Sequence, residues 1–284
     1  MSAQYEGRNI KASASLTGTY ITESLQTGKA PADRRRLSPM VGVSWRFYKN
    51  MRIRASYKEG FRVPTFNDLY YARVGNLNLK PEIARQFNLG LTYSGTYDWG
   101  NLDITADAYH NLIKDKIVAV PTMFIWKMHN VGEVSMYGTD VTAAVLWKSC
   151  GWLNVHASAN YSLQYALDIT DPSSKSYMHQ IPYTPRHCGN GNFTLETRWA
   201  NISYRMTACS KRYVKNQNIP SNEIAGYTDH SISVNREIIL GKKNTCRLHI
   251  SLEGMNLSDN NYEIIHYYPM PGRSYRLTLR YHLN

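Results

Sequence analysis

Residues 246–257 read CRLHISLEGMNL, and residues 272–283 read GRSYRLTLRYHL. In the first, Leu248, Ile250 and Leu252 alternate with Arg247, His249, Ser251 and Glu253. In the second, Tyr275, Leu277, Leu279, Tyr281 and Leu283 alternate with Arg276, Thr278, Arg280 and His282. Successive side chains of a strand point to opposite faces, so each segment predicts a strand with one apolar and one polar face. The pattern recurs upstream, where Val41, Val43, Trp45 and Phe47 oppose Gly42, Ser44 and Arg46, and Phe87, Leu89, Leu91 and Tyr93 oppose Gln86, Asn88, Gly90 and Thr92. About twelve strands follow, near 10–21, 36–48, 51–60, 84–97, 100–119, 132–148, 152–166, 187–199, 201–214, 225–240, 246–257 and 272–283.

The connections alternate in length. Tight turns fall at Tyr48–Met51, Asp98–Asn101, Lys148–Gly151, Trp199–Asn201 and Leu240–Asn244. Long connections fall between them, at 22–35, 61–83, 120–131, 167–186, 215–224 and 258–271. This is the arrangement of an antiparallel up-and-down meander with its long loops at one end, as in an outer-membrane barrel. A β-sandwich would mix loop lengths and include Greek-key jumps. The fold class is therefore all-β, an antiparallel up-and-down transmembrane β-barrel with lipid against the apolar face and water against the polar one.

Composition removes the competitors. A mean hydropathy of −0.46 is too polar for a bundle of membrane helices, each of which needs roughly 20 consecutive apolar residues. The longest apolar run, Val141 to Trp147, already contains Thr142. The 22 tyrosines against 6 phenylalanines favour strands at a wet, interfacial boundary. Cys150, Cys188, Cys209 and Cys246 have no metal-ligand spacing, so no metal site is expected. No Ser, His and acid stand at linked positions and no nucleophile elbow occurs, so no catalytic residue is assigned and the chain is read as a non-enzyme without a cofactor. The net charge of +12 is spread over many strands rather than gathered in a patch with stacking aromatics, which argues against nucleic acid. The opening MSAQYEGRNIKAS has no apolar stretch of the signal-peptide kind.

Residues 59–82, EGFRVPTFNDLYYARVGNLNLKPE, resemble the signature of TonB-dependent outer-membrane receptors. The matching residues are Phe61, Arg62 and Pro64, then Leu69 and Tyr70, then Gly75, Asn76, Leu79, Lys80, Pro81 and Glu82. Asn130–Gly132 with Tyr137–Asp140, Ile181–His187, and Glu253–Glu263 with Pro269–Arg273 resemble later parts of the same family. Asp140 stands where the family usually has Glu, and Asn284 follows Leu283 where the family usually ends on an aromatic residue.

The resemblance implies a barrel of about 22 strands around an N-terminal plug. Residues 1–284 are then expected to be its C-terminal part, with the plug domain and the remaining strands absent. It implies an outer-membrane location, lipid around the barrel, a TonB complex acting through the plug, and a large scarce nutrient as ligand. Vitamin B12 is the first expectation and an iron siderophore the second. Haem is set aside, because no histidine lies between Thr65 and Gly75. The expectation is that the chain does not transport alone. The alternatives are a self-contained passive pore of about twelve strands and an inactive split-gene fragment.

Arg62, Asn67, Tyr70, Tyr71, Arg73 and Asn76 fall at or within one long loop, Tyr177 and His179 in a second, and Tyr267 and Tyr268 in a third. Tyr and Asn at loop tips suit a flat amphipathic ligand, and loop packing would suit the same residues. Arg52, Arg54, Arg205, Arg247, Arg276 and Arg280, with Lys58 and Arg198, share the polar face by parity. They would dock an acidic plug surface and steer an anionic ligand, or pair with Asp103, Asp107, Glu196 and Glu253. Cys188 and Cys209 share that face on neighbouring strands, which leaves both a disulfide and two free thiols open.

Overall fold

The computed structural model describes residues 1–22, 34–121, 125–240 and 246–283. Residues 23–33 of the first long connection, 122–124 of the third, the turn residues 241–245 and Asn284 lie outside them. The strands are β1 (Ser2–Glu6), β2 (Ile10–Ile21), β3 (Arg34–Tyr48), β4 (Met51–Arg62), β5 (Glu82–Tyr97), β6 (Gly100–Pro121), β7 (Trp126–Cys150), β8 (Leu153–Asp168), β9 (His187–Thr197) and β10 (Asn201–Cys209). After them come β11 (Arg212–Tyr213), β12 (Glu223–Ile224), β13 (Tyr227–Leu240), β14 (Cys246–Met255), β15 (Glu263–Ile265), β16 (Tyr268–Pro269) and β17 (Ser274–Leu283), and α1 (Phe66–Tyr70) lies between β4 and β5.

Among the described residues thirteen strands form one sheet in the order β1-β2-β3-β4-β5-β6-β7-β8-β9-β10-β13-β14-β17. Every neighbour is also the next sheet strand along the chain, so the meander read from loop lengths is the observed topology. β11–β12 and β15–β16 are two separate hairpins carried in the long connections. The count exceeds twelve by β1, which pairs Ser2 with Ser15 through Glu6 with Lys11. The segment read as 201–214 leaves the sheet at Cys209, and Arg212–Tyr213 pairs instead with Glu223–Ile224. β6 and β7 run 22 and 25 residues, well beyond the roughly 9–11 that a tilted strand needs to cross a bilayer. They take up much of the connection read at 120–131.

The apolar face is bare. Leu277 and Leu279 are each 63% exposed, and Val41, Val43, Trp45, Phe87 and Leu89 are exposed as well. Rows of aliphatic and aromatic side chains this open to the surroundings suit lipid contact rather than water.

The chain divides into two compact units, Met1–Leu91 with Asp107–Gly138 and Tyr165–Ile181, and Thr92–Ala106 with Thr139–Gln164 and Pro182–Asn284. In the first unit the buried apolar residues gather toward the long loops. Leu69, Leu79 and Ile117 form one cluster with Tyr70 and Met128 against it, and Ile113, Val134, Ala166 and Ile181 form a second. In the second unit aromatic residues mark the tight-turn ends. Tyr97 stacks on Trp99 at 5.0 Å, and Trp152 meets Trp199 at 5.6 Å, the placement of an interfacial aromatic girdle. Gly100 opens β6 at φ +143, and a Cβ there would lie 1.8 Å from the Leu146 carbonyl oxygen, so this turn requires glycine.

Candidate functional site

In the first unit the loop after β4 is locked from both sides. Thr65 caps α1 by accepting from the Asp68 amide at 3.2 Å, while Asp68 Oδ2 accepts from the Thr65 amide at 2.8 Å. This reciprocal pair satisfies the free amides at the helix start. Arg62 donates to Asp68 at 3.1 Å and to Glu82 at 3.3 Å, and Glu82 also accepts from the Ile117 amide at 3.2 Å. Asn76 donates to the Met128 carbonyl at 3.0 Å and accepts from the Asn78 amide at 3.0 Å. Asn130 holds Lys80 from both its carbonyl and its amide and donates to the Asp115 carbonyl at 2.7 Å. Gly75 sits where a Cβ would meet the Leu69 carbonyl oxygen at 2.5 Å, so the Gly-Asn turn folds directly back on the helix.

The six loop residues singled out from the sequence therefore divide. Arg62 and Asn76 are engaged in holding the loop, and the ring of Tyr70 packs on its core while its hydroxyl is a buried oxygen without a hydrogen-bond partner. Asn67, Tyr71 and Arg73 are exposed, Arg73 at a positive φ of 67. In the second loop of this unit Tyr177 is exposed and His179 half-buried. Beneath them Gln180 is almost fully buried and accepts from the Ala166 amide at 3.2 Å, and Asp168 accepts from Thr170 and Ser176.

The second unit carries a cavity of ≈ 630 Å³ where β8, β9, β10 and β13 meet their long connections. Tyr161, His187, Tyr227, Thr228, Asn260 and Tyr262 line it, together with Cys188 and Cys209, which form a disulfide between paired positions of β9 and β10. The Tyr161 hydroxyl meets His187 Nδ1 at 2.8 Å, and Asn260 donates to the Thr228 carbonyl at 2.7 Å. Tyr227 and Tyr262 stack face to face, with centroids 4.2 Å apart and planes at 5°. The Tyr262 hydroxyl donates to Asp229 at 2.7 Å. Burial, then the Asp229 hydrogen bond, holds this phenol protonated well above the ordinary tyrosine range. A raised folded-state pKa contributes stability that is complete below the ordinary phenol value and is lost progressively as pH climbs from there through the folded-state one. Ultraviolet titration of Tyr262→Phe is expected to lose one late-titrating phenol, with the other transitions unmoved.

Against this stack lies Arg212, which sequence reading placed on a strand and left without a role. It is 3% exposed. Its guanidinium carbon stands 5.5 Å from the Tyr227 ring centroid, Nε donates to the Ile264 carbonyl at 3.2 Å, and Nη2 donates to the Glu263 carbonyl. Tyr267 and Tyr268, on the hairpin that Arg212 touches, are 81% and 68% exposed.

On the polar face, Arg54 pairs with Asp107 at 2.9 Å in the first unit. In the second, Arg276 pairs with Glu253 at 3.6 Å, Arg247 with Glu237 at 3.4 Å, and His156 with Glu196 at 3.1 Å. Arg205 and Arg280 are exposed and Arg52 half-buried. Glu237, Arg247, His249, Arg280 and His282 line a recess of ≈ 520 Å³. Among the described residues no group of three or more His, Cys, Asp or Glu side chains could hold a metal ion.

Residues 2–257 match the protein family described as "TonB dependent receptor-like, beta-barrel". The chain belongs to this family. Its members are receptors and transporters rather than enzymes. Over 234 residues the chain is 26% identical to the vitamin B12 transporter BtuB of Vibrio vulnificus, covering 80% of this chain and 34% of that protein. It is 32% identical to the vitamin B12 transporter BtuB of Photobacterium profundum over 108 residues, 36% of this chain and 17% of that protein. Among solved structures, the FrpB iron transporter of Neisseria meningitidis (F5-1 variant) superposes with a TM-score of 0.69 at 18% identity, over 98% of this chain and 44% of that one. The copper transporter OprC superposes with a TM-score of 0.69 at 15% identity, over 96% of this chain and 46% of that one. The chain thus spans 34% of the length of the first of these curated relatives.

Proposed function

We propose that this chain is the C-terminal barrel part of an outer-membrane receptor that takes up a large scarce nutrient by TonB-dependent transport. Vitamin B12 is the first ligand to test and an iron siderophore the second. The observation that carries the reading is the pairing of a lipid-suited strand face with long connections built as rigid mounts for exposed tyrosines. Asn67, Tyr71, Arg73, Tyr177, Tyr267 and Tyr268 are assigned to ligand contact. Arg62, Tyr70, Asn76 and His179 are assigned to holding the loops that carry them. Residues 1–284 act together with a plug and further strands, and energy reaches the ligand through TonB acting on that plug. The basic polar face, with Arg52, Arg54, Arg205, Arg247, Arg276 and Arg280, faces the plug and draws in anionic ligands.

Outer-membrane vesicles bearing the receptor are expected to bind cyanocobalamin or a ferric tris-catecholate. Tyr71→Ala and Tyr267→Ala should each weaken that binding by about tenfold, the loss of one aromatic contact of roughly 1.4 kcal/mol. Retention of neither ligand by folded receptor, or full affinity in both variants, would overturn the assignment.

A further inference from the structure

We propose that Arg212 is the positioning residue of the Glu263–Pro269 hairpin, fixing its exposed tip for contact with a flat, partly apolar ligand. The ligand half of this inference rests on the receptor reading above, and the positioning half does not.

The hairpin's own ladder is short. β15 and β16 contribute three and two residues, with a register shift between Glu263 and Ile265. Pro269 has no amide to donate, and an isolated two-stranded hairpin is marginal in water even when longer. Its tip is also apolar, with Ile264, Ile265, Tyr267 and Tyr268 all exposed. Left alone, such a segment would collapse onto nearby surface rather than stand open.

Arg212 supplies what the hairpin lacks. Burying a guanidinium costs heavily unless its donors are used. Here the donors go to the carbonyls of two consecutive hairpin residues, Glu263 and Ile264. The guanidinium also stands over Tyr227, whose stacked partner Tyr262 immediately precedes the hairpin. At the far end the Met270 amide donates to the Tyr262 carbonyl at 2.9 Å, and inside the turn the Tyr267 amide donates to Glu263 Oε2 at 3.0 Å. Arg212 is itself fixed by β11–β12 pairing with Ile224, which is buried, while Lys211 pairs with Glu223 at 2.9 Å. The bridge from this fixed point to two hairpin carbonyls is a planar fork. Lysine offers a point charge and cannot reproduce the fork and the ring contact together.

Hydrogen exchange of the protein in detergent micelles, read by mass spectrometry on the peptide covering 262–270, tests the positioning directly. Arg212→Lys and Arg212→Gln are expected to raise its exchange at least about tenfold, with the peptides of β9, β10 and β13 unchanged. Unchanged exchange at 262–270 overturns the proposal. Faster exchange throughout β9, β10 and β13 in Arg212→Lys overturns it too, because Arg212 would then hold the sheet rather than the hairpin. In a cyanocobalamin titration, Arg212→Lys and Tyr267→Ala should each weaken binding about tenfold, and the double variant should be no weaker than Tyr267→Ala alone, the signature of residues acting through one contact. If exchange rises as expected while wild type binds neither cyanocobalamin nor a ferric tris-catecholate, the positioning stands and the receptor reading is what fails.

Discussion

Asn256→Ala is expected to destabilise the loop layer of the second unit by about 3 kcal/mol, from buried polar groups left without partners and an unfavourable backbone. Asn256 directly follows β14, is 2% exposed, and has φ 46. Its Nδ2 donates to the carbonyls of Asn260 and Pro271 at 2.9 and 3.1 Å, and its Oδ1 accepts from the Asn260 amide at 3.0 Å. Alanine removes all three bonds and keeps a Cβ in the left-handed region, where asparagine is tolerated and alanine is not. Glycine removes the same bonds but accepts the backbone, so Asn256→Gly should recover about 1 kcal/mol of the loss. Thermal unfolding of the two variants in detergent separates the contributions. Equal stability of Asn256→Gly and Asn256→Ala would show that the backbone conformation matters little. The effect should reach the Glu263–Pro269 hairpin, because Asn256 fixes both ends of the segment that carries it.

The sheet was legible because a strand with lipid on one side and water on the other must alternate, and this chain alternates almost throughout. β1 was missed for a physical reason: SAQYE is five residues with every position exposed, and only pairing with β2 makes it a strand. The departure at Cys209 was legible in part. Ser210, Lys211 and Arg212 are three polar residues in a row, which breaks the alternation without forbidding a strand, since Thr228–Ser231 are four polar residues inside β13. The site was less legible. The Gly-Asn-x-x-Leu-Lys-Pro-Glu stretch announced a structured turn, yet whether its side chains meet a ligand or one another depends on β6 and β7, far away in sequence. Arg212 carried no signal, since a buried arginine is recognised by what surrounds it and those groups lie 51 and 52 residues on. Asn256 had a weak one in the run Asn256-Leu257-Ser258-Asp259-Asn260-Asn261, a composition that favours turns with side-chain-to-backbone bonds. The disulfide needed the register of β9 against β10, where Cys188 faces Cys209.

Arg62→Ala is expected to cost about 2 kcal/mol, between what an exposed and a buried ion pair is worth, because Arg62 is itself 48% exposed. The two carboxylates it joins are far more enclosed, with side chains 11% exposed for Asp68 and 15% for Glu82. Each is tied elsewhere as well, Asp68 to the Thr65 amide and Glu82 to the Ile117 amide. Neither can turn away to water without giving up its backbone amide, that of Thr65 at the start of α1 or that of Ile117 on β6. Removing the guanidinium takes away the cation that the two carboxylates share. Arg62→Lys keeps one positive charge but not the fork that reaches both oxygens, and it should recover about half of the loss. Hydrogen exchange over 65–82 reads the result: a large rise in Arg62→Ala and an intermediate one in Arg62→Lys. The same pair of variants separates a loop-holding arginine from a ligand-contacting one. If Arg62 met the ligand directly, Arg62→Lys would weaken cyanocobalamin binding while leaving exchange at 65–82 at the wild-type rate. The two carboxylates already occupying its guanidinium lead to the opposite expectation, in which binding falls only as far as the loop loosens.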